Sequence, residues 1–200
     1  MDPGTINSKG SIFVSGIGTL TNTGTITNSS TIVSNKAINN TSGTINNTGV
    51  ILTNDEITGN APSGVGAYYK PDSTTGVINV TDNMKLLPQS GFLIKSDQHL
   101  VINDDKTFMI SSSSNLTNEG TLMNSGMFNN NQTIINNNTI LSGSDLKNVV
   151  DGTSGATSKY YKPDSTGDIN ITDDLTMPDA TFTVHAGKSF KIKNGTKFTL

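Results

Sequence analysis

The chain contains no cysteine and no tryptophan, and its 13 basic residues are all lysine, with no arginine among them. Without cysteine there is no disulfide framework and no thiolate metal site, and the redox compartment stays open. Without arginine, and with a net charge of −3, there is neither the usual reader of bases and phosphates nor a basic stripe, so nucleic acid is not an expected partner. No apolar run approaches membrane-spanning length, so membrane insertion is not expected either. The opening Met1 to Asn7 lacks the basic and apolar regions of a signal peptide. Charged residues make up only 14% of the chain, too few for a charge-swollen disordered polymer, while the 32% hydrophobic share is low for a globular core.

What is abundant is polar and periodic: 25 Asn and 29 Thr, with many Ser and Gly. They fall into a six-residue unit, roughly Gly-Thr-(Ile/Leu)-x-Asn-x. Its apolar member is Leu20, Ile26, Ile32, Ile38, Ile45, Ile51 and Ile57, then Leu116, Leu122, Phe128, Ile134, Ile140 and Leu146. A period that short cannot enclose a core by itself, so each unit must stack on copies of itself. In a strand, residues two apart share a face, so the residue two beyond the Ile or Leu also points inward. It is usually asparagine: Asn22, Asn28, Asn40, Asn47, Asn118, Asn124, Asn130, Asn136 and Asn148. An inward amide is costly unless paired, and asparagines stacked at the strand spacing satisfy one another as a ladder. Thr before the apolar residue then faces solvent, and Gly two before it (Gly24, Gly49, Gly120, for example) serves the corner.

A longer repeat lies above the hexads. Tyr68-Tyr69-Lys70-Pro71-Asp72-Ser73-Thr74 recurs as Tyr160-Tyr161-Lys162-Pro163-Asp164-Ser165-Thr166. After each copy come apolar pairs every eight residues: Phe92/Ile94, Leu100/Ile102 and Phe108/Ile110, then Phe182/Val184, Phe190/Ile192 and Phe198/Leu200. The expected organisation is two modules, 1–110 (hexads 1–60, spacer 61–110) and 111–200 (hexads 111–150, spacer 151–200), in one continuous solenoid. The expected fold is all-β, a parallel β-solenoid whose hexad coils of about 18 residues alternate with octad coils of about 24. Thr5-Ile6-Asn7 already resembles the hexad, which suggests a segment of a longer repeat protein.

The stretch Leu116-Thr117-Asn118-Glu119-Gly120-Thr121-Leu122-Met123-Asn124-Ser125-Gly126, preceded by the octads, resembles the repeats of large secreted surface proteins. These are filamentous-haemagglutinin-like and autotransporter-type adhesin passengers, and fibre proteins of large DNA viruses. The resemblance implies a parallel β-solenoid displayed outside the cell, on a cell surface or on a virion.

The segment used twice is the best binding candidate: Tyr68, Tyr69, Lys70 and Asp72, with Tyr160, Tyr161, Lys162 and Asp164. Exposed tyrosine pairs stack on sugars or dock a neighbouring rod; alternatively, they cover the edge where hexad coils widen to octad coils. Asp82, Asp104, Asp105, Asp173 and Asp174 sit among turn formers, where turn chemistry is a better account than calcium. His99 and His185 occupy unequal places in the two modules, so no repeated metal or catalytic site is expected. Two glutamates (Glu56 and Glu119) and no arginine are a poor set for a polysaccharide lyase or hydrolase. The expected function is therefore a non-enzymatic structural segment of a surface fibre, without metal or cofactor. Its expected partner is itself, end to end or laterally. The alternative is an adhesin whose tyrosine-bearing spacers hold host-surface glycan or protein.

Overall fold

A computed structural model describes residues 4–15, 19–152 and 158–199. Every regular element among them is a short β-strand, and every strand pairing in the ladders is parallel. The chain is an all-β, parallel β-solenoid of about nine turns.

Nine strands open it: β1 (Thr5–Ser8), β2 (Ile12–Val14), β3 (Leu20–Thr21), β4 (Thr25–Asn28), β5 (Thr31–Ser34), β6 (Ile38–Asn40), β7 (Thr44–Asn47), β8 (Val50–Thr53) and β9 (Ile57–Gly59). They wind three to a coil, and β10 (Ala67–Tyr69) ends the stack on β8. The resulting sheets run β1-β4-β7, β2-β5-β8-β10 and β3-β6-β9. Ile26 lies under Ile45, three units and 19 residues on, one residue more than three strict hexads because Ile38 to Ile45 is a seven-residue step. Gly49 meets the carbonyl of Ser30 in the coil below so closely that a side chain has no room.

The second stack begins with the octads: β11 (Val77–Val80), β12 (Met84–Leu86), β13 (Gly91–Ile94), β14 (His99–Ile102) and β15 (Thr107–Ile110). It continues without a break into hexads: β16 (Asn115–Asn118), β17 (Thr121–Asn124), β18 (Met127–Asn130), β19 (Ile134–Asn136), β20 (Thr139–Ser142), β21 (Val149–Asp151) and β22 (Lys159–Tyr161). Its sheets are β11-β14-β17-β20-β22, β12-β15-β18 and β13-β16-β19-β21. Phe92 pairs with Leu116, 24 residues on, and Leu122 with Ile140, 18 residues on, so the wide and narrow coils have the expected lengths. The third stack comprises β23 (Asp168–Ile171), β24 (Leu175–Thr176), β25 (Ser189–Ile192) and β26 (Phe198–Thr199). It pairs β23 with β25 and β24 with β26.

Three particulars differ from the sequence expectation. The ladder is not unbroken: among the described residues no strand of one stack pairs with a strand of the next. The breaks fall inside the spacers, at 70–76 and 162–167, while at 110/111 a four-residue corner of the same length as 87–90 leaves the sheets continuous. The Phe182/Val184 pair forms no strand. Its counterpart β13 is held by β16, and no described strand pairs with 182–184. Leu200, expected to close the last octad pair, lies outside the described residues.

The core is a column of inward Ile, Leu and Phe. In the second stack Ile78, Leu100, Leu122 and Ile140 stack in register, and Phe108 lies on Phe128 with ring centroids 5.2 Å apart. Burying such side chains contributes roughly 1.5–3 kcal/mol each before entropy is counted.

Candidate functional site

The asparagine ladder forms beside that column. Asn22 Nδ2 donates to Asn40 Oδ1 at 2.7 Å, Asn28 to Asn47 at 2.7 Å and Asn118 to Asn136 at 2.8 Å. Asn28 also closes a corner: its Oδ1 accepts from Ser30 N while its Nδ2 reaches Val50 O. Asn124 donates to Ser142 Oγ, and Asn130 to Lys147 O. Eight of the nine expected members are buried; Asn148 is not. There the coil is cut to 15 residues (Ile134 to Val149), so Asp151 takes the register position above Asn136. Asn148 becomes an exposed turn residue with a φ of 55°.

The two tyrosine-bearing segments are the joints between stacks. The first tyrosine of each pair lies on the inward row, Tyr68 in register with Ile51 and Tyr160 with Ile140. Its hydroxyl accepts a backbone N–H across the coil, from Ile57 at 2.9 Å for Tyr68 and from Leu146 for Tyr160. Burial raises the pKa of both phenols. The second tyrosine lies on the outward row and is nonetheless 6% (Tyr69) and 5% (Tyr161) exposed. Tyr69 Oη donates to Asp82 at 2.9 Å, and Tyr161 Oη to Asp173 at 3.2 Å, each carboxylate belonging to the next stack. Burial first, and Asp82 second, push the Tyr69 phenol up to about 12.

What buries these outward rings is the open base of the following stack. Val33, Leu52 and Tyr69, all on the outer face of the β2-β5-β8-β10 sheet, share one apolar cluster with Ile78, Leu86 and Phe92. Val101, Met123, Leu141 and Tyr161, on the outer face of the β11-β14-β17-β20-β22 sheet, share another with Ile169, Ile171, Leu175 and Met177. The wall of one stack thus floors the next. Matching clasps lie beside both contacts: Leu93 N donates to Asn35 Oδ1 and Thr183 N to Ser125 Oγ, each at 2.9 Å.

No protein-family model, curated protein or solved structure matches the chain.

The polar members of the candidate set hold the turn within each joint. Lys70 pairs with Glu56, and Lys162 with Asp145 at 2.6 Å. Asp72 Oδ1 accepts from the amides of Thr74 and Thr75, each at 2.9 Å, and these hold its carboxyl below the usual range. Asp164 is held low chiefly by the Thr166 hydroxyl and the Asp168 amide. Gly76 closes the first joint with a φ of 68°, and its counterpart Gly167 has 89°. All eight candidate residues are therefore brought to the joints, and their contacts there are with the chain itself.

Of the aspartates read as turn formers, Asp82 and Asp173 hold the joint phenols, and Asp174 accepts from Lys197 N. His99 is half-buried in β14, and burial lowers its pKa; His185 Nε2 lies 2.7 Å from Ser125 O beside the second joint. Among the described residues no group of His, Asp or Glu is placed to hold a metal ion. Val33, Leu52, Met123 and Leu141 were not foreseen as joint residues. Their signal was present: each is apolar at an outward position where Thr or Asn is the rule.

Proposed function

We propose that the chain is a non-enzymatic structural segment of an extracellular fibre, displayed on a cell or virion surface, that works by length and stiffness. The observation that carries this reading is the joint. Two chemically matched joints seat successive stacks on one another through apolar contacts, so no free linker separates them. Association with further copies, end to end or laterally, belongs to the same proposal. It is supported by Ile6 and Ile192, which stay 49% and 48% exposed on β1 and β25. The alternative, an adhesin gripping its ligand with the tyrosines, needs those rings free, and their seating in the joints favours the structural reading.

Negative-stain microscopy and sedimentation velocity over a concentration series test the proposal together. The expected result is rigid elongated particles whose sedimentation coefficient rises with concentration. Compact spheres, or a flexible string of beads, would overturn the fibre reading, and a concentration-independent monomer would remove self-association from it.

A further inference from the structure

The corner joining the β12-β15-β18 sheet to the β13-β16-β19-β21 sheet changes length along the second stack. It has four residues at 87–90 and 111–114, three at 131–133, and after β20 it is replaced by the turn around Leu146. The wide corners are braced: Ser90 N donates to Leu87 O, Ser114 N to Ser111 O, and Ser114 Oγ to Leu87 O at 2.6 Å. Where wide coil gives way to narrow coil, a groove of about 570 Å3 opens along the corner. It crosses four coils, from Lys85 and Pro88, past Met109 to Ser112 and Phe128 to Gln132, to Asp145 and Lys147.

We propose that this groove binds a short acidic oligosaccharide lying across the coils. Its volume is in the range of small-ligand sites. Half-buried Phe128, with Met109 and Pro88, offers apolar surface for the C–H faces of a sugar. The amides of Asn129, Asn131 and Gln132 and the hydroxyl of Ser112 offer donors and acceptors for its hydroxyls. The charge selects an anion: Asp145 is already neutralised by Lys162, whereas Lys85 and Lys147 are exposed and form no ion pair among the described residues. A peptide added as a strand would run along β18, but the groove runs across the strands, which suits a chain that needs no ladder.

Isothermal titration with tri-galacturonate, maltotriose and an extended octapeptide of Ser, Thr and Val tests the proposal. The intact chain is compared with a Lys85→Ala/Lys147→Ala variant and a Gln132→Ala variant; melting temperatures check that these surface changes leave the fold intact. The expected result is saturable binding of tri-galacturonate, weaker at high salt, and about tenfold weaker in the lysine variant. A smaller loss is expected for Gln132→Ala. Absent binding, equal affinity for maltotriose, indifference to the lysine change in a folded variant, or preference for the peptide would each overturn it.

Discussion

Asparagine is the residue that makes this chain unusual, and its worth depends on what lies above and below it. Asn28 is fully buried in a run of amides: it donates to Asn47 Oδ1 and Val50 O and accepts from Ser30 N. Asn124 is buried as well, but it stands on Ile102 where the ladder meets the octads: its Nδ2 donates to Ser142 Oγ, while its Oδ1 has no partner. A buried bond removed with its partner left behind costs about 1–3 kcal/mol, whereas an unpaired polar atom removed is relief. Asn28→Leu should therefore lower stability by about 2–4 kcal/mol, whereas Asn124→Leu gives up its bond to Ser142 Oγ together with an unpaired oxygen, packs on Ile102, and should cost only about 1 kcal/mol. Urea midpoints at constant slope measure both, and equal losses would show that position in the ladder does not matter. The inward Asn row was legible because its spacing is six residues almost throughout, with a single seven-residue step from Asn40 to Asn47. Asn148 was misread for the same reason: three residues are missing before it, and a period carried forward cannot register a deletion.

At the scale of the element, the joint turns a repeat into a branch of contacts that no period encodes. Two adjacent tyrosines in one strand must face opposite ways, so one closes its own stack and the other enters the next. The sequence marked the segment as special by repeating it, and a Tyr-Tyr-Lys-Pro among turn formers left both binding and edge-covering as readings. The outward Val33 and Leu52 beside it share the apolar cluster of Tyr69, and they carry meaning once the neighbouring stack is known to lie on them. The phenol of Tyr69 gives the joint a pH signature. Unfolded tyrosine loses its proton near 10, and the folded phenol holds it to about 12. Between those values the native state binds more protons than the unfolded state, so stability falls as pH rises. The joint's contribution is complete below pH 10 and declines through the window from 10 to 12. Tyr69→Phe keeps the ring but cannot titrate or reach Asp82. It should be somewhat less stable at neutral pH and should flatten the alkaline decline of the midpoint. An unchanged alkaline slope would place the titration elsewhere.

For the whole molecule, the question is whether the stacks are one cooperative column or separate columns leaning on each other. The hydrogen-bonded ladders say separate, since they stop at each joint, while the apolar clusters say joined, since they cross it. Adjacent residues in β8 distinguish the two kinds of cohesion. Ile51 and Leu52 are both fully buried, but Ile51 points into the first stack and Leu52 out of it, onto the base of the second. A buried unpaired carboxylate costs several kcal/mol in either place, and the cost falls on different structure. Ile51→Asp should unfold the first stack, with loss of its share of the β circular-dichroism signal and rapid proteolysis throughout residues 19–69. Leu52→Asp should instead undock the stacks with their strands intact. The β signal should persist, the radius of gyration in X-ray scattering should rise, and proteolysis should concentrate at the turn 70–76. The second joint, resting on Leu141 and Tyr161, has its own cluster and should keep its protection in hydrogen exchange. If Leu52→Asp erased the first stack as thoroughly as Ile51→Asp, the wall residue would be ordinary core and the ladders would not mark the units of stability.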